Sequence, residues 1–134
     1  MIDHMGFRVR DLAAARAFYG ACAAALGLQP ADNGPESFVL GYSAAEPVPF
    51  IWVGITEPAF WTSAHVTSAS PIHLAFKATD RAMVGRFYQA ALAAGGRTNG
   101  PPGPRGPAEM HYYAAFVLDP DGNNVEAGVR EAMG

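Results

Sequence analysis

The sequence predicts an α+β fold made of two tandem βαβββ modules, and three observations predict it. The first is a repeat. Shifted by 69 residues, IDHMGFRV at 2–9 falls on PIHLAFKA at 71–78, and the register continues without a gap through the next segment. His4 lands on His73, Asp11 on Asp80, Phe18 and Tyr19 on Phe87 and Tyr88, and Gly27 on Gly96. Self-similarity at a fixed period marks a repeated supersecondary unit. The second is a switch of period within each half, from strand-like alternation to helical spacing. The third is a content of 15 Gly and 11 Pro in 134 residues, which suits short strands and turns better than a helical bundle.

The elements follow in order. Residues 2–9 alternate, with Met5, Phe7 and Val9 on one face and His4, Gly6 and Arg8 on the other, as in a half-buried strand. Asp11 is placed to cap a helix running to about Leu26, with Leu12, Ala15, Tyr19, Cys22 and Leu26 as its apolar stripe. Strand-like runs follow at about 28–32, 36–43 and 48–55. The second half repeats the plan. Ile72, Leu74 and Phe76 oppose His73, Ala75 and Lys77, and Asp80 caps a helix with Met83, Val84, Phe87, Ala91 and Ala94 inward. Strands are expected at about 96–99, 112–118 and 123–129, the last two joined by the turn Asp119-Pro120-Asp121-Gly122. Residues 99–110, NGPPGPRGPAEM, read as a Pro/Gly-rich loop. The expected organisation is a single domain over 1–134: a first module at 1–56, a linker at 57–70 and a second module at 71–134.

Composition narrows the function. The net charge is −3, so no basic field exists to hold a phosphate backbone and no nucleic-acid partner is expected. The most apolar run, Ala17 to Leu28, is too short to span a bilayer, so no membrane role is expected. The opening MIDHMGFRVRD lacks a basic segment followed by an apolar one, so no secretory signal is expected. The single cysteine, Cys22, excludes an internal disulfide and fits a reducing cytoplasm.

A four-stranded sheet with one helix has a second face to cover. Two such sheets side by side form a curled mixed sheet around a central cavity, helices outside, with His4 and His73 pointing in from its two sides. FIWVG at 50–54 matches NVEAG at 124–128 after five extra residues in the second half, which sets Trp52 against Glu126. The inner face then offers His4, His73 and Glu126, with Trp52 in place of a symmetric fourth ligand. Two imidazoles and a carboxylate suit a divalent ion, Zn²⁺, Mn²⁺, Fe²⁺, Co²⁺ or Ni²⁺, and leave positions open for water and substrate.

Further candidates surround this set. His111 and Tyr113 lie at the start of a strand, where a His or Tyr can act as acid or base. Parity lets only one of Tyr112 and Tyr113 face the cavity. Arg8 and Lys77 share the parity of the ligands and would attract an anionic substrate, and Arg105 in the 99–110 loop would close over the pocket. Trp52, Phe50 and Phe116 would line an apolar wall. Phe60 and Trp61 in the linker would pack the halves or a partner subunit, and His65 there is expected to be solvated.

The openings IDHMGFRVRDLAAARAFY and PIHLAFKATDRAMVGRFY, with AAFVLDPDGNNVEA near the end, resemble the vicinal oxygen chelate superfamily. That group includes glyoxalases, bleomycin-resistance proteins, fosfomycin-resistance transferases and extradiol dioxygenases. The resemblance spans essentially the whole chain. It implies a divalent metal at positions matching His4, His73 and Glu126, a small oxygen-rich substrate that chelates it through two adjacent oxygens, and a homodimer. Glyoxalase-type isomerases carry a further Glu where this chain has Trp52, and the three-ligand set is closer to the dioxygenases and transferases. Lyase or isomerase, ring-opening dioxygenase and thiol transferase all remain compatible. The alternative is a non-catalytic small-molecule or drug-binding protein of the bleomycin-resistance type.

Overall fold

A computed structural model describes residues 1–56 and 72–132. The first half contributes β1 (His4–Arg8), α1 (Leu12–Ala25), β2 (Pro30–Asp32), β3 (Ser37–Leu40) and β4 (Phe50–Gly54). The second contributes β5 (His73–Lys77), α2 (Arg81–Ala93), β6 (Arg97–Arg105), β7 (Tyr112–Leu118) and β8 (Asn124–Arg130). The expected α+β fold of tandem βαβββ modules is the fold observed. The whole of the expected linker at 57–70 lies outside the described residues, and Phe60, Trp61 and His65 with it.

Both sheets have the same order, β1-β4-β3-β2 and β5-β8-β7-β6. In each, the opening strand pairs in parallel with the last strand of its module, and the remaining pairs are antiparallel. Gly6 pairs with Trp52, and Ala75 pairs with Glu126. Gly6 and Ala75 are equivalent in the repeat, so Trp52 and Glu126 occupy equivalent sites.

Both helices start as the sequence indicates. The Asp11 carboxylate accepts from the Ala14 amide at 3.0 Å, and the Asp80 carboxylate from the Met83 amide at 2.7 Å. These side chains satisfy amides that have no partner within the helix. The helix-facing strand residues Phe7, Val53, Leu74, Val117, Val125 and Ala127 are buried, while His4, Gly6, Arg8, His73, Ala75 and Lys77 on the other parity are exposed.

The relation between the modules differs from the expected side-by-side trough. Helices α1 and α2 pack against each other, and one apolar cluster runs through both modules. Phe18 of α1 is fully buried and reaches the second module, where a Cβ on Gly96 would stand 2.7 Å from its ring. Only glycine permits that approach. Beside it, the buried Tyr19 phenol donates to Asp119 Oδ2 at 2.6 Å. Asp119 also accepts from the amides of Asp121 and Asn123 and from the Asn123 side chain. The modules thus meet through their helix-covered faces, because that is where the apolar residues of both repeats lie. The helices lie where the modules meet rather than outside a cavity.

The Pro/Gly segment also differs from the expected loop. Residues Arg97–Arg105 form the edge strand β6, with register irregularities between Thr98 and Gly100 and between Gly100 and Gly103. Prolines are tolerated on an edge, where amides need no partner, and bulges absorb the mismatch. Among the described residues, no helix is long and apolar enough to cross a membrane.

Burial, then the nearby Asp119 carboxylate, raises the Tyr19 pKa. The phenol therefore stays neutral in the folded chain where the unfolded chain ionises it, above about pH 10. Its contribution to stability is complete below that pH and declines as pH rises. Tyr19→Phe is expected to cost about 1–3 kcal/mol at pH 7 in urea unfolding. It should also flatten the fall in stability as pH rises above about 10. An unchanged unfolding midpoint would remove Tyr19 from the contact between modules.

Candidate metal and substrate site

The turn at Asp119–Gly122 sets the face that β7 and β8 present. Asp119 N donates to the Asn123 carbonyl at 2.9 Å, and Leu118 pairs with Asn124. Phe116 then pairs with Glu126, Ala114 with Gly128 and Tyr112 with Arg130. Even-numbered residues of both strands consequently share the uncovered face with His73, Ala75 and Lys77 of β5.

On this face His73 and Glu126 come together. His73 Nε2 lies 3.0 Å from Glu126 Oε2, and His73 Nδ1 lies 3.1 Å from the Asn124 carbonyl. A carbonyl only accepts, so Nδ1 carries the hydrogen. In neutral imidazole Nε2 then presents a lone pair to a carboxylate oxygen. Two acceptors converge, an arrangement that calls for a cation between them: a proton or a metal ion. The Glu126 side chain is 6 % exposed and His73 is 52 % exposed, so the pair opens to one side only.

The second carboxylate oxygen, Oε1, accepts from the Tyr112 phenol. Burial, together with the hydrogen bond and charge of Glu126, pushes the Tyr112 pKa up to about 12. At neutral pH it is a donor. Its ring crosses Gly128, where any Cβ would overlap the phenol oxygen. Arg130 stacks on the same ring at 4.6 Å. An open hollow of about 600 Å³ adjoins Tyr112, with Ala75, Lys77, Thr79, Gly128 and Arg130 among its walls.

The corresponding face of the first module carries His4. Its Nδ1 contacts Asp3 Oδ1 at 2.7 Å, and its ring stacks on Phe50 at 4.8 Å. A carboxylate on one nitrogen leaves Nε2 for a ligand, a common arrangement at metal-bound histidines. Trp52 packs against Gly6 and Gly54, and a Cβ on Gly54 would overlap its indole. Arg8 is exposed and donates to the Ile55 carbonyl at 3.1 Å.

His4 does not join His73 and Glu126 in one chain: among the described residues no three His, Cys, Asp or Glu side chains converge as a metal site. Tyr113 lies on the helix-covered face with Ala78, Val84, Ala115 and Val129, under the Arg81 guanidinium at 4.5 Å. Tyr112 is the tyrosine on Glu126. His111 is exposed and ends a 3-10 turn with left-handed backbone (φ 47°). Lys77 sits at the exposed end of β5, and Arg105 ends β6. Cys22 is core, and burial pushes its thiol up to about 12.

The sequence leaves Tyr112 and Tyr113 as alternatives and settles on Tyr113, and Arg130 is not among the residues it singles out. The signal is present: the tight turn after Leu118 fixes a pairing that puts Tyr112 and Arg130 on the parity of Glu126.

A family model described as Glyoxalase/Bleomycin resistance protein/Dioxygenase superfamily matches residues 1–127. The chain belongs to this superfamily. Its fold is similar to that of a glyoxalase/bleomycin resistance protein from Albidiferax ferrireducens T118. That protein is 27 % identical, with a TM-score of 0.72 over 98 % of this chain and 99 % of the other. A glyoxalase/bleomycin resistance protein/dioxygenase family enzyme from Burkholderia phytofirmans PsJN has 22 % identity and a TM-score of 0.70 over 96 % and 98 % of the two chains. A glyoxalase-related enzyme from Fulvimarina pelagi has 20 % identity and a TM-score of 0.71 over 96 % and 87 %. No curated protein matches the chain. Membership in the superfamily accords with two equivalent uncovered sheet faces, one carrying the His73–Glu126 pair.

Gly128→Ala tests how that pair is held. The added methyl displaces the Tyr112 phenol, so a cost of about 1–3 kcal/mol is expected from overpacking. In a Tyr112→Ala background the same substitution should cost little. Equal costs in both backgrounds would mean that Tyr112 does not cross Gly128.

Proposed function

We propose that the protein is a metal-dependent enzyme acting on a small substrate with two adjacent oxygens, and that His4, His73 and Glu126 hold the ion. The observation that carries this reading is the convergence of two acceptors, His73 Nε2 and Glu126 Oε2, at 3.0 Å. A bound divalent ion supplies Lewis acidity to the two substrate oxygens.

The remaining work falls to the chain itself. Tyr112 holds Glu126 Oε1 and so keeps Oε2 turned to His73. The Asn124 carbonyl fixes the His73 tautomer. Trp52 provides an apolar wall where a fourth ligand would stand, and its indole cannot take up a proton. That favours ring-opening dioxygenation or thiol transfer over isomerisation by a carboxylate base. His111 and Tyr113 take no part in this scheme. Tyr112 is the phenol within reach of the ligands.

The third ligand comes from a second copy. The modules of one chain meet through their helices, which keeps His4 away from the His73–Glu126 pair. A homodimer that lays the first module of each copy against the second module of the other supplies His4 to both sites. The edge strands β1 and β5 give a physical reason for association, since an edge leaves backbone groups unpaired. A reduced, buried Cys22 fits work in the cytoplasm.

One observation favours a second reading, a non-catalytic binding protein: the Trp52 indole spread against Gly6 and Gly54 is a shelf for a planar ligand. Elemental analysis of tag-free protein purified without chelators separates the two. The enzyme reading expects about one ion per chain and a rise in Tm on adding Mn²⁺ or Zn²⁺. His73→Ala and Glu126→Ala should each weaken metal affinity by about tenfold or more. A parent protein whose Tm ignores divalent ions, or variants that bind them as the parent does, would contradict the ligand set.

A further inference from the structure

We propose that Arg105 is the anchor for a carboxylate on the substrate, so that the protein selects an anion rather than a neutral molecule. This rests on the reading that His73 and Glu126 mark the site. Of nine Lys and Arg residues, Arg10, Arg16 and Arg81 are paired with Asp121, Asp32 and Glu131, on helices or just past a strand end. The other six, Arg8, Lys77, Arg86, Arg97, Arg105 and Arg130, pair with no carboxylate among the described residues. Four of these, Lys77, Arg97, Arg105 and Arg130, stand on the face of the second module that bears Glu126. A chain of net charge −3 therefore gathers uncompensated positive charge around its candidate site, which draws anions there.

Arg130 is stacked on Tyr112 and Arg105 is held on the His73 side of the pair. The Arg105 guanidinium lies over the Phe116 ring at 5.5 Å, and the His73 ring stacks on Phe116 at 6.3 Å with 23° between planes. Phe116 pairs with Glu126 in the sheet. Arg105 Nη1 donates to the Pro104 carbonyl at 3.0 Å, and Nη2 donates to the Pro101 carbonyl. Guanidinium has five N–H donors, so about three remain. The irregular edge strand makes the room: a Cβ on Gly103 would stand 2.9 Å from Nη1, and one on Gly100 3.2 Å from Nη2. A planar, oriented, unpaired guanidinium is suited to a carboxylate, which it binds through two parallel hydrogen bonds. Lys77 and Arg130 line the neighbouring hollow and add to the field.

The probe is succinic acid monohydroxamate, which carries two chelating oxygens at one end and a carboxylate at the other. Its counterpart has the carboxylate capped as the primary amide. Affinities of both are measured by calorimetry on the whole protein, with Mn²⁺ and again in EDTA. The parent should prefer the carboxylate by about tenfold or more. Arg105→Gln should bring the ratio to about one, chiefly by weakening the carboxylate's binding. Gly103→Ala, which keeps every donor but displaces the guanidinium, should lower the ratio in the same direction. Unchanged Tm values show that both variants fold. A parent without the preference, or a preference that Arg105→Gln leaves intact, overturns the proposal. Binding that ignores Mn²⁺ sinks the metal reading, and the carboxylate-to-amide ratio still decides the role of Arg105.

Discussion

The burial of Phe18 and Tyr19 between the two helices is the contact on which the rest of the molecule depends. Each module has one helix and one apolar sheet face, too little to form a deep core alone. Packing α1 against α2 merges the two thin cores into one. Phe18 then lies against Gly96, and Tyr19 reaches the Asp119 turn of the other module. Removing a buried Phe costs about 3–5 kcal/mol, a large share of the stability of a domain this size. The Tyr19–Asp119 hydrogen bond adds direction to what apolar contact alone would leave loose. It ties α1 to the turn that sets the β7–β8 register.

This packing decides what the opposite faces can do. With the helix-covered faces joined, both uncovered faces remain open, and polar residues collect there. On the second face, small residues form a row across the sheet: Gly128, Ala114 and Gly103 stand at successive register positions. Tyr112 leans over one end of that row and Arg105 over the other, and both reach the level of Glu126 and Phe116. The first face has the same pattern with different cargo. Gly6 and Gly54 make room for Trp52, which takes the place equivalent to Glu126. The two faces are therefore complementary: one has the His73–Glu126 pair and cations, the other the His4 imidazole and an apolar shelf.

The fold was legible in the sequence because it rests on local signals. Asp11 and Asp80 cap the helices, strand parity separates His4 from Phe7, and the 69-residue shift aligns the modules. The equivalence of Trp52 and Glu126 was also legible, since only a pairing register was needed. The choice of Tyr112 over Tyr113 needed that register carried back six residues from Leu118. The Pro-rich strand β6 was not legible, because its pairing depends on bulges that no periodicity announces. The relation of the modules was not legible either. Whether apolar helix faces or strand edges join first is settled by the sum of contacts across the chain.

The central claim is that one chain holds two ligands together and that its own His4 belongs to another site. Subunit mixing tests this most directly. His4→Ala protein and Glu126→Ala protein, each unable to bind metal tightly, are unfolded, mixed in equal amounts and refolded together. Half of the dimers should then be mixed, and each mixed dimer should have one intact set of ligands, so about a quarter of the parent's tight metal sites should return. If His4, His73 and Glu126 of a single chain form the site, every site in the mixture lacks one ligand. Tight binding would then stay absent at any mixing ratio, and the account would be contradicted.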